Sequence, residues 1–229
     1  MTTTESAVHR QQGGPPLGVL AVVSTALFLA GLFIAAAVGK GFPPAPTVSA
    51  GTIQTYFHDH RTASRISAVF QFGSSVPLAL YAATASARLR NLGVRAPGAT
   101  IGLVGGVLAA AFLALSGLIT WVLSRAEVVS DPTLVRALHD LSYMTGGTGN
   151  VVFLGLLVAG IAVPAFFTRL LPRPLVFVGL FFAVIAELST LSIVSDPLGY
   201  LLPVARFPIL IWLIVAGFLL PHTRVRANA

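Results

Sequence analysis

A polytopic bundle of transmembrane α-helices, with six spans and both ends in the cytoplasm, is the all-α fold class that this 229-residue sequence predicts. Three observations carry that expectation. Hydrophobic residues make up 55% of the chain and charged residues 9%, where a soluble domain needs roughly 25% charged residues to coat its surface. Mean hydropathy is +0.88. Six apolar segments meet or approach the length of about 20 residues that a helix needs to cross a hydrocarbon core of ~30 Å. They run apolar throughout, which excludes a β-barrel, whose strands alternate polar and apolar residues.

One domain, residues 17–220, is expected between cytoplasmic tails at 1–16 and 221–229. Its first span, 17–39, is a run of 23 residues, longer than the roughly 7–15 of a signal-peptide core, and is read as retained. Phe42-Pro43-Pro44-Ala45-Pro46 is then stiff and extended, because each proline fixes φ and disfavours helix in the residue before it. Thr47 or Ser49 caps a polar–aromatic interfacial helix with Tyr56 and Phe57. The second and third spans follow at 66–87 and 99–123. Asp131 before Pro132 reads as an N-cap followed by proline at the first helical position. From Pro132 to Thr168 a continuous helix would be ~55 Å long, too long for one span. A break is expected at Gly146-Gly147-Thr148-Gly149, which puts the fourth span at 146–167. The fifth and sixth spans are 174–194 and 203–220. Trp121 and Tyr200 suit interfacial anchors, and Trp212, mid-span, suits packing.

Orientation rests on arginine. With the N-terminus inside, Arg10, Arg88, Arg90, Arg95, Arg169, Arg173, Arg224 and Arg226 flank the inner side, against Lys40, Arg61, Arg65, Arg125, Arg136 and Arg206 outside. The bias is sharpest in the tight turns Arg88–Arg90 and Arg169–Arg173. This basic pattern beside apolar segments belongs to a membrane surface and implies no nucleic-acid partner.

Ionisable and strongly polar side chains are costly in hydrocarbon and turn inward where they occur in spans. His60, Ser64, Ser67, Gln71 and Ser74 recur at steps of 4, 3, 4 and 3, as do Arg136, Asp140, Tyr143, Gly147 and Asn150. Each set lies on one helical face. Counted by helix rise, Gln71, Glu187 and Arg206 all fall in the outer half of the bilayer. Two readings stand. Arg65, Gln71, His139, Asp140, Asn150, Glu187 and Arg206 line an outward-facing polar cavity for a small solute or ion, with Glu187 and Arg206 as its charge pair. Alternatively, the same residues only hold helices together.

Gly98, Gly102 and Gly106 form overlapping Gly-x-x-x-Gly units for close helix packing, within the monomer or in a homo-oligomer. With no cysteine, disulfides and thiolate chemistry are excluded. Zinc on His58, Asp59 and His60 with His139 or Asp140, and haem between His60 and His139, lack a multi-ligand spacing. No cofactor is therefore assigned. His-Glu-x-x-His, Gly-x-Ser-x-Gly and the nucleotide-binding Gly-x-x-x-x-Gly-Lys-Ser/Thr loop are all missing.

The run Arg136 to Gly147, the turn Arg169-Leu170-Leu171-Pro172-Arg173-Pro174 and the stretch Arg61 to Leu80 resemble an uncharacterised group of six-span membrane proteins of actinobacteria. The resemblance implies six spans and a bacterial plasma membrane, and it brings no activity. The expected function is an integral membrane protein binding a small solute or ion from the outer side. The alternatives are a non-catalytic partner or regulatory subunit of a membrane complex, and a membrane enzyme or haem protein. Its expected partners are the lipid bilayer and a second copy or a membrane partner protein.

Overall fold

The computed structural model describes residues 14–221, all of it helix and connecting turns. The tails carrying Arg10, Arg224 and Arg226 lie outside the described residues. Six helices are long and apolar enough to cross a membrane, and the protein is a multi-pass membrane protein.

The chain order is α1 (Leu17–Val38), α2 (Ala50–Asp59), α3 (Arg61–Asn91), α4 (Gly98–Val122), α5 (Ala126–Val129), α6 (Pro132–Met144), a π-helical turn (Thr145–Gly149), α7 (Asn150–Thr168), α8 (Arg173–Leu188), two 3₁₀ turns (Ser189–Ile193 and Asp196–Tyr200) and α9 (Leu201–Leu219). Consecutive spanning helices pack side by side, and α9 returns to α1, closing a ring α1–α3–α4–α7–α8–α9. Short turns enforce this antiparallel neighbour order. Each helix turns its small and apolar stripe inward. In α1 that stripe is Leu17, Ala21, Ser24, Phe28, Gly31 and Ala35, at helical spacing. The opposite faces present Phe33, Val69, Ile101, Phe181, Ile211 and Phe218 to the surroundings, as a lipid-facing surface requires.

A small cap covers one end of the ring. Ile53 and Phe57 of α2 meet Leu123, Val129 and Val135 in a second apolar cluster. The stem of α2 is set by Ser49, whose hydroxyl accepts from the Thr52 amide at 3.2 Å. Of the two candidate caps, Ser49 is the one used. Asp131 caps α6, its carboxylate accepting from the amides of Thr133 (2.9 Å) and Leu134 (3.2 Å), with Pro132 at the first helical position. Asp131→Ala is expected to lower stability by about 1 kcal/mol while Asp131→Asn holds. Amide exchange at Thr133 and Leu134 reports the difference, and unchanged protection in the alanine variant contradicts the cap.

The expected break at the glycines is a widening instead. Helix runs without interruption from Pro132 to Thr168, over 37 residues. Its first part belongs to the cap, which accounts for the length excess. Glycine there lets the backbone spread into a π turn, because no side chain crowds the wider ring. The fifth span, Arg173–Ile193, changes helix type before its end. After Leu188 the helix tightens into a 3₁₀ turn, where the Ser189 hydroxyl donates to the Ala186 carbonyl at 2.6 Å.

Candidate functional site

The seven predicted site residues do not line one cavity. They fall into separate contacts, with only His139 beside Asp140 and Asn150 beside Arg206. Arg65, exposed, donates through Nε to the Ser124 hydroxyl at 3.3 Å. Gln71 donates to Ser67 one turn back on its own helix, at 3.1 Å. Asp140 takes Arg136 Nε at 2.8 Å, an i,i+4 pair in the cap. His139 is buried against Phe57, ring centroids 5.6 Å apart, with Nδ1 3.6 Å from the Asp140 carboxylate. Asn150 donates to the Ala109 carbonyl of α4 at 2.8 Å. Arg206 reaches the π turn. Glu187 faces outward.

The expected Glu187–Arg206 pair is therefore a correction. No salt bridge among the described residues involves either one. Depth counted along the helix placed both in the same half of the bilayer, but azimuth separates them. Arg206 points between α1 and α7, whereas Glu187 lies on the surface of α8 beside Val184, Leu188 and Leu191, all exposed.

The π turn explains why an arginine sits inside the ring. In an α-helix the Asn150 amide would bond the Gly146 carbonyl; here it goes to Thr145 and Gly147. The Gly146 oxygen is left without its helical donor, and the Arg206 Nη2 supplies one. The same nitrogen approaches the Gly147 oxygen at 3.5 Å, and the guanidinium lies 5.2 Å from the Phe28 ring centroid. A freed carbonyl at membrane depth must be bonded internally, so the widened turn and Arg206 stand or fall together. The π turn also rotates every later residue by about 100°, since one residue is added to a turn. Asn150 is thereby buried while Tyr143 stays exposed, and the predicted stripe does not continue through the glycines.

The space at the ring axis is small. Ser24, Ser74, Asn150 and Arg206 share it with Phe28, Leu113 and Leu210, and it measures about 10 Å³, the size of a single water. Ser24 and Ser74 are bonded to one another's helices, each hydroxyl donating to the other's carbonyl at 2.9 and 2.8 Å. Among the described residues no three His, Asp or Glu side chains come close enough to hold a metal ion. His58 pairs with its neighbour Asp59, and His60 lies against Tyr56.

The glycines lie within the monomer. Gly98 abuts Pro164 and the Gly160 carbonyl, Gly102 abuts Gly160, and Gly106 faces Ala82 and Leu157. The glycine on α7 that α4 packs against, Gly160, was not legible as part of a motif, because it stands alone between Ala159 and Ile161. Sequence reading also passed over the hydroxyl network Ser116–Ser142–Thr120 and the buried Thr148–Ser192 pair at 2.8 Å. The i,i+4 step from Ser116 to Thr120, inside an otherwise apolar helix, is the signal that would have found the first. Tyr81 and Arg88 tie α3 to α9, donating to the carbonyls of Leu213 (3.1 Å) and Leu220 (3.4 Å).

Comparison of the chain with family models, with curated proteins and with solved structures finds no match. The functional reading therefore rests on the geometry alone.

Proposed function

We propose that this protein is a non-catalytic subunit of a membrane complex, held to its partner by the face of α8 that carries Glu187. Glu187 is the observation that supports this reading. It lies 14 residues into α8, ~21 Å along the helix, within the span Arg173–Ile193. It is exposed, it pairs with no cation among the described residues, and it sits between the exposed Val184 and Leu188 and the Gly155 edge of α7. An acidic side chain left exposed within a span costs about 3 kcal/mol, more in some treatments, and is sheltered when a second protein covers it with a donor. The partner is accordingly a transmembrane helix that presents an arginine, lysine or hydroxyl at this depth. Cavity binding of a solute has less support, since the space on the ring axis has room for about one water.

The arginine turns support a cytoplasmic location for the α3–α4 and α7–α8 connections, with the cap outside. The plasma membrane of a bacterium fits that orientation and the resemblance to the actinobacterial six-span group.

Site-specific photo-cross-linking in native membranes tests the subunit reading. A photoreactive residue at Val184, one turn from Glu187, is expected to give a discrete protein adduct that disappears in Glu187→Leu, with the variant still folded and monodisperse. The same probe at Phe33 on α1 is the control. Lipid-only adducts at Val184, or adducts that persist unchanged in Glu187→Leu, would falsify the assignment.

A further inference from the structure

The end of the bundle opposite the cap carries Arg88, Arg90, Arg95, Arg169 and Arg173, and among the described residues it holds no Asp or Glu. Two of these five are employed within the fold. Arg88 donates to Leu220, and Arg90 donates to Thr100 at 3.2 Å. Arg169 and Arg173 have no partner of that kind among the described residues, and both line one recess with Phe166 and Leu171. The recess measures about 310 Å³ and opens at the α7–α8 turn.

Arg169 occupies a position that suits glycine. It ends α7 at φ 54°, ψ 36°, the left-handed region that L side chains rarely adopt and that glycine fills at helix C-termini. An arginine held there opposes the local backbone preference. A second exposed guanidinium, that of Arg173, lines the same recess. An anion there meets two cations, and the planar guanidinium fork matches phosphate oxygens two at a time. Beside the cations the surface is aromatic. Phe166 meets Phe167 and Phe177 edge-on, at 5.4 and 5.7 Å, and those two rings project outward, 78% and 58% exposed. Charge beside an apolar, membrane-facing aromatic surface is the arrangement that an anionic amphiphile requires.

We propose that Arg169 and Arg173 form a binding site for a phosphate group, either the headgroup of an anionic phospholipid, with its chains along Phe167 and Phe177, or free inorganic phosphate. This site is independent of the Glu187 face. The arginines of this end have a topological use in any case; a bound phosphate is a further property that Arg95, outside the recess, lacks.

Native mass spectrometry and thermal unfolding of the full chain in neutral detergent test it, with phosphatidylglycerol, phosphatidylcholine and inorganic phosphate added separately. Phosphatidylglycerol is expected to remain bound and to raise the unfolding temperature, and phosphatidylcholine to do neither. Arg169→Gly with Arg173→Gln is expected to weaken the phosphatidylglycerol adduct by about thirtyfold, two arginines' worth of surface attraction. Arg95→Gln leaves it unchanged. Glycine is the residue preferred at φ 54°, so the double variant keeps its own unfolding temperature, and loss of the lipid response is not loss of the fold. If inorganic phosphate reproduces the full stabilisation, the free anion is the ligand. Equal binding of phosphatidylglycerol to wild type and double variant, or equal binding of phosphatidylcholine, overturns the proposal.

Discussion

Replacing Gly160 with alanine is expected to cost about 3 kcal/mol of stability, whereas Gly102→Ala, directly across the same helix contact, is expected to be close to neutral. The asymmetry follows from the backbones. A Cβ built on Gly160 runs into the amide nitrogen and Cα of Gly102, which cannot swing aside as a side chain can. A Cβ on Gly102 meets the Gly160 carbonyl carbon at 3.5 Å, an ordinary contact. Gly105→Ala should behave like Gly160→Ala, since its Cβ would lie 2.6 Å from the Leu157 amide nitrogen. Between helices in lipid there is little hydrophobic drive, so close backbone approach supplies much of the attraction, and forcing α4 from α7 forfeits it. Unfolding midpoints of the three purified variants in one detergent decide the matter. Equal midpoints for Gly160→Ala and Gly102→Ala contradict the packing described. Gly102→Leu, in which four more heavy atoms enter the same seam, should fail to fold rather than yield a folded monomer.

Arg206→Met should destabilise the protein by about 2 kcal/mol even though methionine suits the surroundings. Removing a buried guanidinium relieves a desolvation cost, and that alone would favour the variant. Against it stands the Gly146 carbonyl, whose helical donor the π turn has already redirected. Leaving that acceptor unbonded in the ring costs more than the arginine's burial returns, because no water reaches it from lipid. Infrared absorption of the isotopically labelled Gly146 carbonyl offers a direct readout, with a shift to higher frequency in Arg206→Met. If the carbonyl band and the unfolding midpoint both stay where they are in wild type, the π turn does not depend on Arg206. The guanidinium stack on Phe28 would then be its main role.

These two residues also mark what could and could not be read along the chain. Hydropathy gave the number of spanning helices, six, and the caps at Ser49 and Asp131 followed from residue type and spacing. Arg206 was recognised as anomalous in its span, yet its partner was not. The partner is a backbone oxygen made available by a glycine-rich π turn, and no side-chain pattern advertises a backbone oxygen. Glu187 was given a neighbour, Arg206, that it does not meet. Depth needs only the rise per residue, whereas facing direction turns by about 100° with each step and is set by how α8 seats against α7. Gly155 makes that seat, with the Ala186 Cβ and the Ala183 carbonyl closely packed on it, so Ala183 and Ala186 are buried and Glu187 sits exposed at the edge of the seam, one carboxylate oxygen turned toward Gly155.

Composition and hydropathy by themselves determined that this chain lives in a bilayer, crosses it six times as helix and gathers its acids away from the arginine turns. Those properties add up residue by residue and need no knowledge of neighbours. The tertiary structure alone decided that the polar residues of the spans serve several separate contacts instead of one chamber, and that Glu187, Arg169 and Arg173 are left exposed without a partner among the described residues. Such outcomes depend on the rotation of each helix about its axis. That rotation is chosen by close backbone approaches, such as Gly102 to Gly160, Gly105 to Leu157 and Gly18 to Gly217, between residues far apart in the chain.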